Sequence, residues 1–280
     1  MKRSLNFNDK KPLLYLVATP IGNLDEFSPR AIEVIKDADL IACEDTRVTS
    51  KLLSFFGVSK PLVSLREHNE VSEANRLVKE MLSGKKVMYV SDAGYPCISD
   101  PGAKLVEIAL DNDINVSTIS GPSAFLNALV SSGLNADHFY FYGFLSPKQS
   151  ERKGQLEDLK SFKDTIIFYE SPHRIKKTLQ DLYQVLGNRK AVLARELTKK
   201  FEEYIRGTLE ELSNIDEETL KGEMVILVEG QKEEIKISDE DVIKEVDALI
   251  KSGLSKKDAI KEASSKLGIN KNLVYSIYHR

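Results

Sequence analysis

Short apolar runs alternate with amphipathic stretches along most of the chain. Strands are expected at LLYLVA (13–18), DLIAC (39–43), PLVSL (61–65), KVMYVS (86–91) and NVSTIS (115–120). SPRAIEVIKDA (28–38), RVTSKLLSFFG (47–57), SEANRLVKEMLSG (72–84), DPGAKLVEIALDN (100–112) and SAFLNALVSSG (123–133) read as helices. Strand and helix in turn predict a largely parallel sheet with helices on its faces. Ligands of such sheets lie outside the carboxyl ends of the strands. The loops after Ala18, Cys43, Ser91 and Ser120 therefore hold the candidate chemistry.

The second half changes character. HFYFYGFLS (138–146) is aromatic and alternating, TIIFYESPHR (165–174) is a strand closing on Glu170 and an arginine, and GEMVILVEG (222–230) is a further strand. AVLARELTKKFEEYIRGTLEEL (191–212) predicts two strands with a charged link, and helices are expected at 148–162 and 172–186. A second α/β domain follows from this pattern, with a cleft that collects the loops of both halves. Beyond the polar stretch QKEEIKISDEDV (231–242), three short helices are expected, with Ser255 and Asn270 at N-caps and Gly253 and Gly268 at helix ends. The last two form a helix-turn-helix pattern. The expected organisation is a floppy tail (1–12), α/β domains at 13–134 and 135–230, a linker (231–238) and a helical appendage (239–280).

Four loops carry turn chemistry and small polar groups. VSDAGYPCISDPG (90–102) exceeds the two to six residues usual between a strand and a helix, which points to a loop that holds something. TPIGNLDEFSPR after Ala18 lacks the dinucleotide fingerprint G-x-G-x-x-G, and no phosphate-binding G-x-x-x-x-G-K-[ST] occurs anywhere. EDTR (44–47) sets two acids and an arginine at a strand end, where Asp45 or Thr46 could equally serve as a helix cap. GPSA (121–124) opens a helix whose first backbone N–H groups can meet an anionic or polar ligand.

Composition narrows the class. The chain of 280 residues is 41% hydrophobic and 30% charged with net charge −3, which fits a globular protein without a global basic field. From Lys251 to Arg280, however, seven Lys and Arg stand against two acids, a local basic patch suited to RNA. Cys43 and Cys97 show no CxxC spacing and are expected as free thiols in a reducing compartment. No apolar run reaches membrane-span length, and MKRSLNFNDKK lacks a signal-peptide core, so a soluble cytoplasmic protein is expected. The four histidines are scattered without ligand spacing, so no metal is expected.

In order along the chain, LYLVATPIGNL, CEDTR, REHNE, VSDAGYPCISDPG, SGPSA, FYGFLS, FYESPHR and RELTKKFEE resemble the tetrapyrrole methylase superfamily, and within it the RNA-modifying branch. The resemblance covers about residues 13 to 230, and CEDTR, SDAGYPCISDPG and ESPHR together make it specific. It implies a two-domain α/β enzyme, a homodimer, that binds folded S-adenosylmethionine between its domains. It further implies methylation of the ribose 2′-hydroxyl of a cytidine in the decoding region of small-subunit ribosomal RNA, free or in the assembled 30S subunit. Carried over by position, cofactor contacts fall on Pro20, on Ser91, Asp92, Ala93 and Gly94, on Ser123 and Ala124, and on Glu170 and Leu197. The chain departs from the family at two places. Ser91-Asp92-Ala93-Gly94 stands where tetrapyrrole methylases carry Gly-Asp-Pro, and Glu170 replaces a methionine common in corrin and porphyrin methylases.

Methyl transfer to a hydroxyl needs alignment and a proton acceptor, and a placed base contributes roughly 10²–10⁴-fold. Asp45, Glu170 and Glu196 are the candidate acceptors, with His68 behind them. Arg47, Arg174 and Arg195 are candidates to grip RNA phosphates, as are His68 and the tail lysines Lys256, Lys257 and Lys271. Ion pairs of those arginines with Glu44, Glu170 and Glu196 are the alternative. Two other functions stay open on the residues: a methylase of a tetrapyrrole-type small molecule, and a non-catalytic nucleic-acid-binding regulator.

Overall fold

The computed structural model describes all residues except 1, 2, 4, 7–10, 217–219, 233–237, 268 and 280. The chain divides into two compact units, Met1–Gln231 and Lys232–Arg280. The first holds two five-stranded sheets. Its elements run β1 (Leu13–Val17), α1 (Pro29–Lys36), β2 (Leu40–Cys43), α2 (Thr46–Phe55), β3 (Leu62–Ser64), α3 (Glu70–Leu82), β4 (Val87–Val90), α4 (Ala103–Asp111), β5 (Asn115–Ile119) and α5 (Ala124–Ser132). The second sheet follows with β6 (Phe139–Phe144), α6 (Gln149–Leu159), β7 (Thr165–Glu170), α7 (Ile175–Leu186), β8 (Lys190–Arg195), β9 (Glu203–Thr208), α8 (Leu209–Ser213) and β10 (Met224–Val228).

The first sheet is parallel throughout, in the order β3-β2-β4-β1-β5. Its central strands β2 and β4 are buried at every position, which is why LIAC and VMYV show no polar alternation. One face packs Leu14, Leu77, Met81, Tyr89 and Leu105 under α3 and α4. The other packs Val17, Ala31, Ile35, Ile41 and Met88 under α1.

The second sheet runs β6-β7-β10-β8-β9, with β6 parallel to β7 and the remaining pairs antiparallel. Phe168, Leu179, Leu182, Leu193 and Ile226 form the core between it and α7. The opposite face receives Ala128 and Leu129 of α5 and Ile21 of the loop after β1. Part of the first half of the chain thus covers the second sheet, and the strand-end loops of both sheets face one cavity.

Of the expected tail, residues 1, 2, 4 and 7–10 lie outside the described residues. Asn6 donates to the Val116 carbonyl at 3.0 Å, and the Lys11 ammonium pairs with Asp113 at 2.7 Å.

The second unit contains α9 (Asp239–Lys251), α10 (Lys256–Leu267) and α11 (Lys271–Tyr278) around Val242, Val246, Ile260, Ala263 and Val274. The Asn270 side chain accepts from the Asn272 N–H at 2.8 Å, and Ser255 Oγ accepts from the Asp258 N–H at 3.2 Å. The expected linker falls mostly, and the Gly268 helix end wholly, outside the described residues. Lys256, Lys257 and Lys271 are all exposed, and the Lys256 ammonium lies 4.9 Å from the Tyr278 ring centroid. Among the described residues no helix is long and apolar enough to cross a membrane, and no group of acids, histidines and cysteines could hold a metal ion.

Candidate active site

Three loops of the first sheet are tied together at their carboxyl ends. Thr19 and Gly94 exchange both backbone hydrogen bonds, at 2.9 and 3.0 Å. Thr19 Oγ1 donates to the Ser91 carbonyl at 3.1 Å, Ser91 Oγ donates to the Gly94 carbonyl at 2.9 Å, and the Gly121 N–H donates to the Tyr95 hydroxyl at 3.2 Å. Ser91 is buried by these bonds, so it shapes the loop from behind.

The rest of the long loop is anchored from two further sides. Tyr89 donates its hydroxyl proton to the Pro101 carbonyl at 2.6 Å. Glu70 of α3 accepts the N–H groups of Gly102 and Lys104, both at 2.8 Å, and so caps α4 from another helix. Gly102 is obligatory here: its φ is +123°, and a Cβ would lie 2.2 Å from the Tyr89 ring. Cys97 and Ser99 adopt φ values of 68° and 61°, uncommon for residues with a side chain. Ser99 also meets the bulge of β6, where a Cβ on Gly143 would lie 3.2 Å from its Oγ. The loop is held by both sheets.

These loops, with β7, β10 and the start of α5, enclose a cavity of about 350 Å³. Of the residues expected to meet a cofactor, Asp92, Ala93, Gly94, Ser123, Ala124, Glu170 and Leu197 line it; Pro20 and Ser91 do not. Residues not anticipated complete the wall: Ile21, Tyr95, Asp100, Phe125, Phe144, Tyr169 and Met224 among them. At the start of α5 the N-cap residue Ser123 makes no side-chain capping bond, and the first turn, Ala124 and Phe125, lies at the wall. The Tyr169 hydroxyl takes the Phe125 N–H.

The three acids expected as proton acceptors are engaged elsewhere. Asp45 caps α2 through the Arg47 N–H at 2.8 Å and chelates the Arg47 guanidinium, with contacts of 2.5 to 3.2 Å. Those hydrogen bonds hold its carboxyl far below the usual carboxylate range, which makes it a weak base. Glu170 is buried and gives both oxygens away. Oε1 accepts from the Ser171 N–H and Arg174 Nε, each at 2.7 Å, and Oε2 accepts from Thr178 Oγ1 at 2.6 Å. Glu196 is off the cavity wall and accepts from Lys199 Nζ at 3.0 Å and the Glu223 N–H at 3.2 Å. Burial pushes its carboxyl up, but these bonds outweigh that and leave it lowered.

The arginines divide in the same way. Arg174 binds Glu170 and the Leu145 carbonyl, and Arg195 pairs with Glu203 at 2.5 Å, so both are internal. Arg47 is exposed despite its pair with Asp45, and His68 is exposed and away from the cavity. An Asp45→Asn enzyme keeps an equally good helix cap. Its single-turnover rate is expected to stay within about tenfold of the unaltered enzyme, against the roughly 10²–10⁴-fold loss a missing base would cause.

Comparisons with known proteins agree with this architecture. The family described as Tetrapyrrole (Corrin/Porphyrin) Methylases matches residues 13–213. Diphthine synthase shares the fold at TM-score 0.60 and 16% identity, over 78% of this chain and 89% of that one. A cobalt precorrin-4 methyltransferase does so at TM-score 0.57 and 17% identity, over 78% and 94%. Among curated proteins, Ribosomal RNA small subunit methyltransferase I of Halalkalibacterium halodurans is 45% identical over 100% of this chain and 99% of its own length. The Bacillus subtilis protein of the same name is 43% identical with the same coverage. The chain belongs to the tetrapyrrole methylase family and, within it, to the ribosomal RNA small subunit methyltransferases I.

Proposed function

We propose that the cavity binds S-adenosylmethionine and that the enzyme methylates the ribose 2′-hydroxyl of a cytidine in the decoding region of small-subunit ribosomal RNA. The observation that carries the cofactor reading is the wall itself. Its volume suits a small-molecule site, for which roughly 300–1,000 Å³ is usual. The N-terminus of α5, where the Tyr169 hydroxyl already takes the Phe125 N–H, suits a carboxylate, and the Phe144 and Tyr169 rings at the wall suit an adenine or a cation. Asp92 suits ribose hydroxyls. The residues present fit the group.

When bound, S-adenosylmethionine supplies a methyl group made electrophilic by its sulfonium. The protein's own part is to hold that donor in a pocket of fixed loops, to bring the acceptor oxygen in line with it, and to take the acceptor's proton. The strained segment 97–102 is clamped by Tyr89 and Glu70, so wall positions there have little freedom to drift.

RNA contact is assigned to Arg47 and His68 on the first unit and to Lys257 and Lys271 on the second, all exposed. Such contacts release counterions and make binding salt-dependent. A chain ending at Gln231 is expected to keep its fold and its cofactor affinity, because α9 to α11 pack around a core of their own. Its affinity for the small subunit should fall, and the slope of log K against log salt should flatten by about one unit per lost phosphate contact. Filter binding across a salt series measures it, and an unchanged slope would make the second unit structural. The function itself is tested by mass spectrometry of ribosomal RNA fragments from cells with and without the protein: a cytidine ribose methyl must vanish with it.

A further inference from the structure

With Asp45, Glu170 and Glu196 committed elsewhere, the acids left on the cavity wall are Asp92, Asp100 and Glu223. Asp92 accepts the Asp45 N–H at 3.1 Å, and Glu223 pairs with Lys199 at 3.0 Å. Asp100 alone among them receives no hydrogen bond and forms no ion pair with any described residue, although it is half-buried in the most tightly anchored part of the loop. We propose that the Asp100 carboxylate accepts the proton of the attacking ribose 2′-hydroxyl. This rests on the reading of the reaction given above.

The surroundings suit that role. The groups facing Asp100 are Glu44 at the end of β2, Asp92 at the end of β4, the Tyr89 phenol, Cys97 of its own loop, and Tyr169 of β7. None is a cation, and Arg66, whose charge acts on Glu44, donates to the Glu44 backbone carbonyl instead. Burial first, then the charges of Glu44 and Asp92, push the Asp100 carboxyl up to about 6. A base tuned near the working pH is ionised yet still takes a proton readily. In the step, the ribose oxygen bonds the methyl carbon while the carbon–sulfur bond breaks and leaves its electron pair on sulfur. The hydroxyl proton passes to an Asp100 oxygen and from there to water.

Linkage gives a second readout of the same raised carboxyl, one that does not depend on turnover. The folded carboxyl titrates near 6 against 3.8 for the free group, so between those values the folded chain holds a proton that the unfolded chain has lost. That contribution favours folding at low pH and disappears as pH rises through 6. At pH 8 the ionised Asp100 is a burden on the fold, so Asp100→Asn should melt no lower than the unaltered enzyme. A residue kept for structure would do the opposite.

The test is single-turnover methyl transfer from labelled S-adenosylmethionine to small ribosomal subunits, or free small-subunit RNA, from cells lacking the protein. Asp100→Asn is expected to bind S-adenosylmethionine as before in calorimetry, to melt no lower at pH 8, and to transfer at least about 100-fold more slowly. The unaltered enzyme's rate should fall tenfold per pH unit below about 6, and the variant's should not. A variant within about threefold of full rate overturns the assignment. So does a flat profile between about pH 5 and 8 in the unaltered enzyme, which needs no variant to fold. If the unaltered enzyme transfers methyl to neither RNA, the reading of the reaction fails first and Asp100's role falls with it.

Discussion

Ser123→Phe is expected to abolish measurable S-adenosylmethionine binding while leaving the first unit folded. Ser123 precedes α5 in extended conformation, is buried, and makes no capping bond, so its hydroxyl is not a fold requirement. It lines the cavity beside Ala124 and Phe125. Because Ser123 lines the cavity of about 350 Å³, a benzyl group there competes for the volume a ligand needs. A loss of at least 100-fold in affinity is expected, about 2.7 kcal/mol. Saturating cofactor at 100 times its dissociation constant stabilises a folded protein by about the same amount, which for a unit of this size is a rise of roughly 5–10 °C in melting temperature. That rise should be present in the unaltered protein and absent in the variant. The variant's own stability should drop by only the roughly 1–3 kcal/mol typical of overpacking. Equal cofactor-induced shifts in both proteins would place the cofactor elsewhere.

How the site was and was not legible follows from where its contacts come from. The strand–helix alternation was plain because each parallel strand is buried on both faces, so LIAC and VMYV stand out as apolar blocks between amphipathic helices. The long loop after β4 was visible from its turn residues. Its working parts were not, because they are fixed by distant partners: α4 begins at Ala103 under a cap supplied by Glu70, 32 residues upstream of Gly102. Read locally, Asp100 in DPG looks like the start of that helix and is passed over. The acids that did attract attention, in EDTR, ESPHR and ARE, did so because arginines stand beside them. For Asp45 and Glu170 that adjacency ties the carboxylate up, whereas Glu196 is held by Lys199 and the Glu223 N–H. Asp45 and Glu170 are neutralised by Arg47 and Arg174 within one turn, and Arg195 is taken by Glu203, its register partner across β8 and β9. The aromatic wall was equally out of reach, since Phe125, Phe144 and Tyr169 come from three separate elements of the fold.

Glu170→Ala should be the most destabilising single change at the cavity. Glu170 is 3% exposed and ends β7, and its carboxylate holds the Ser171 N–H and hydroxyl, the Arg174 guanidinium and the Thr178 hydroxyl. Removing it leaves the guanidinium with only the Leu145 carbonyl and takes the acceptor from the Ser171 and Thr178 donors beside α7. Breaking a buried pair costs 3–5 kcal/mol, and because Arg174 keeps some access to water the lower end is expected, about 3 kcal/mol. That corresponds to a fall of roughly 6–12 °C in melting temperature for a unit of this size. Glu170→Gln retains one acceptor oxygen and should lose about half as much. The two variants separate structure from chemistry. If Glu170 were the proton acceptor, Gln and Ala would slow single-turnover transfer by the same roughly 10²–10⁴-fold whatever their stability. If it braces the wall formed by Glu170, Ser171 and Pro172, the rate per folded molecule should track the melting temperature. Glu170→Gln should then remain within about tenfold of full rate. Melting curves and single-turnover rates on the same preparations decide between the two, and a slow, fully stable Glu170→Gln enzyme would return the base to β7.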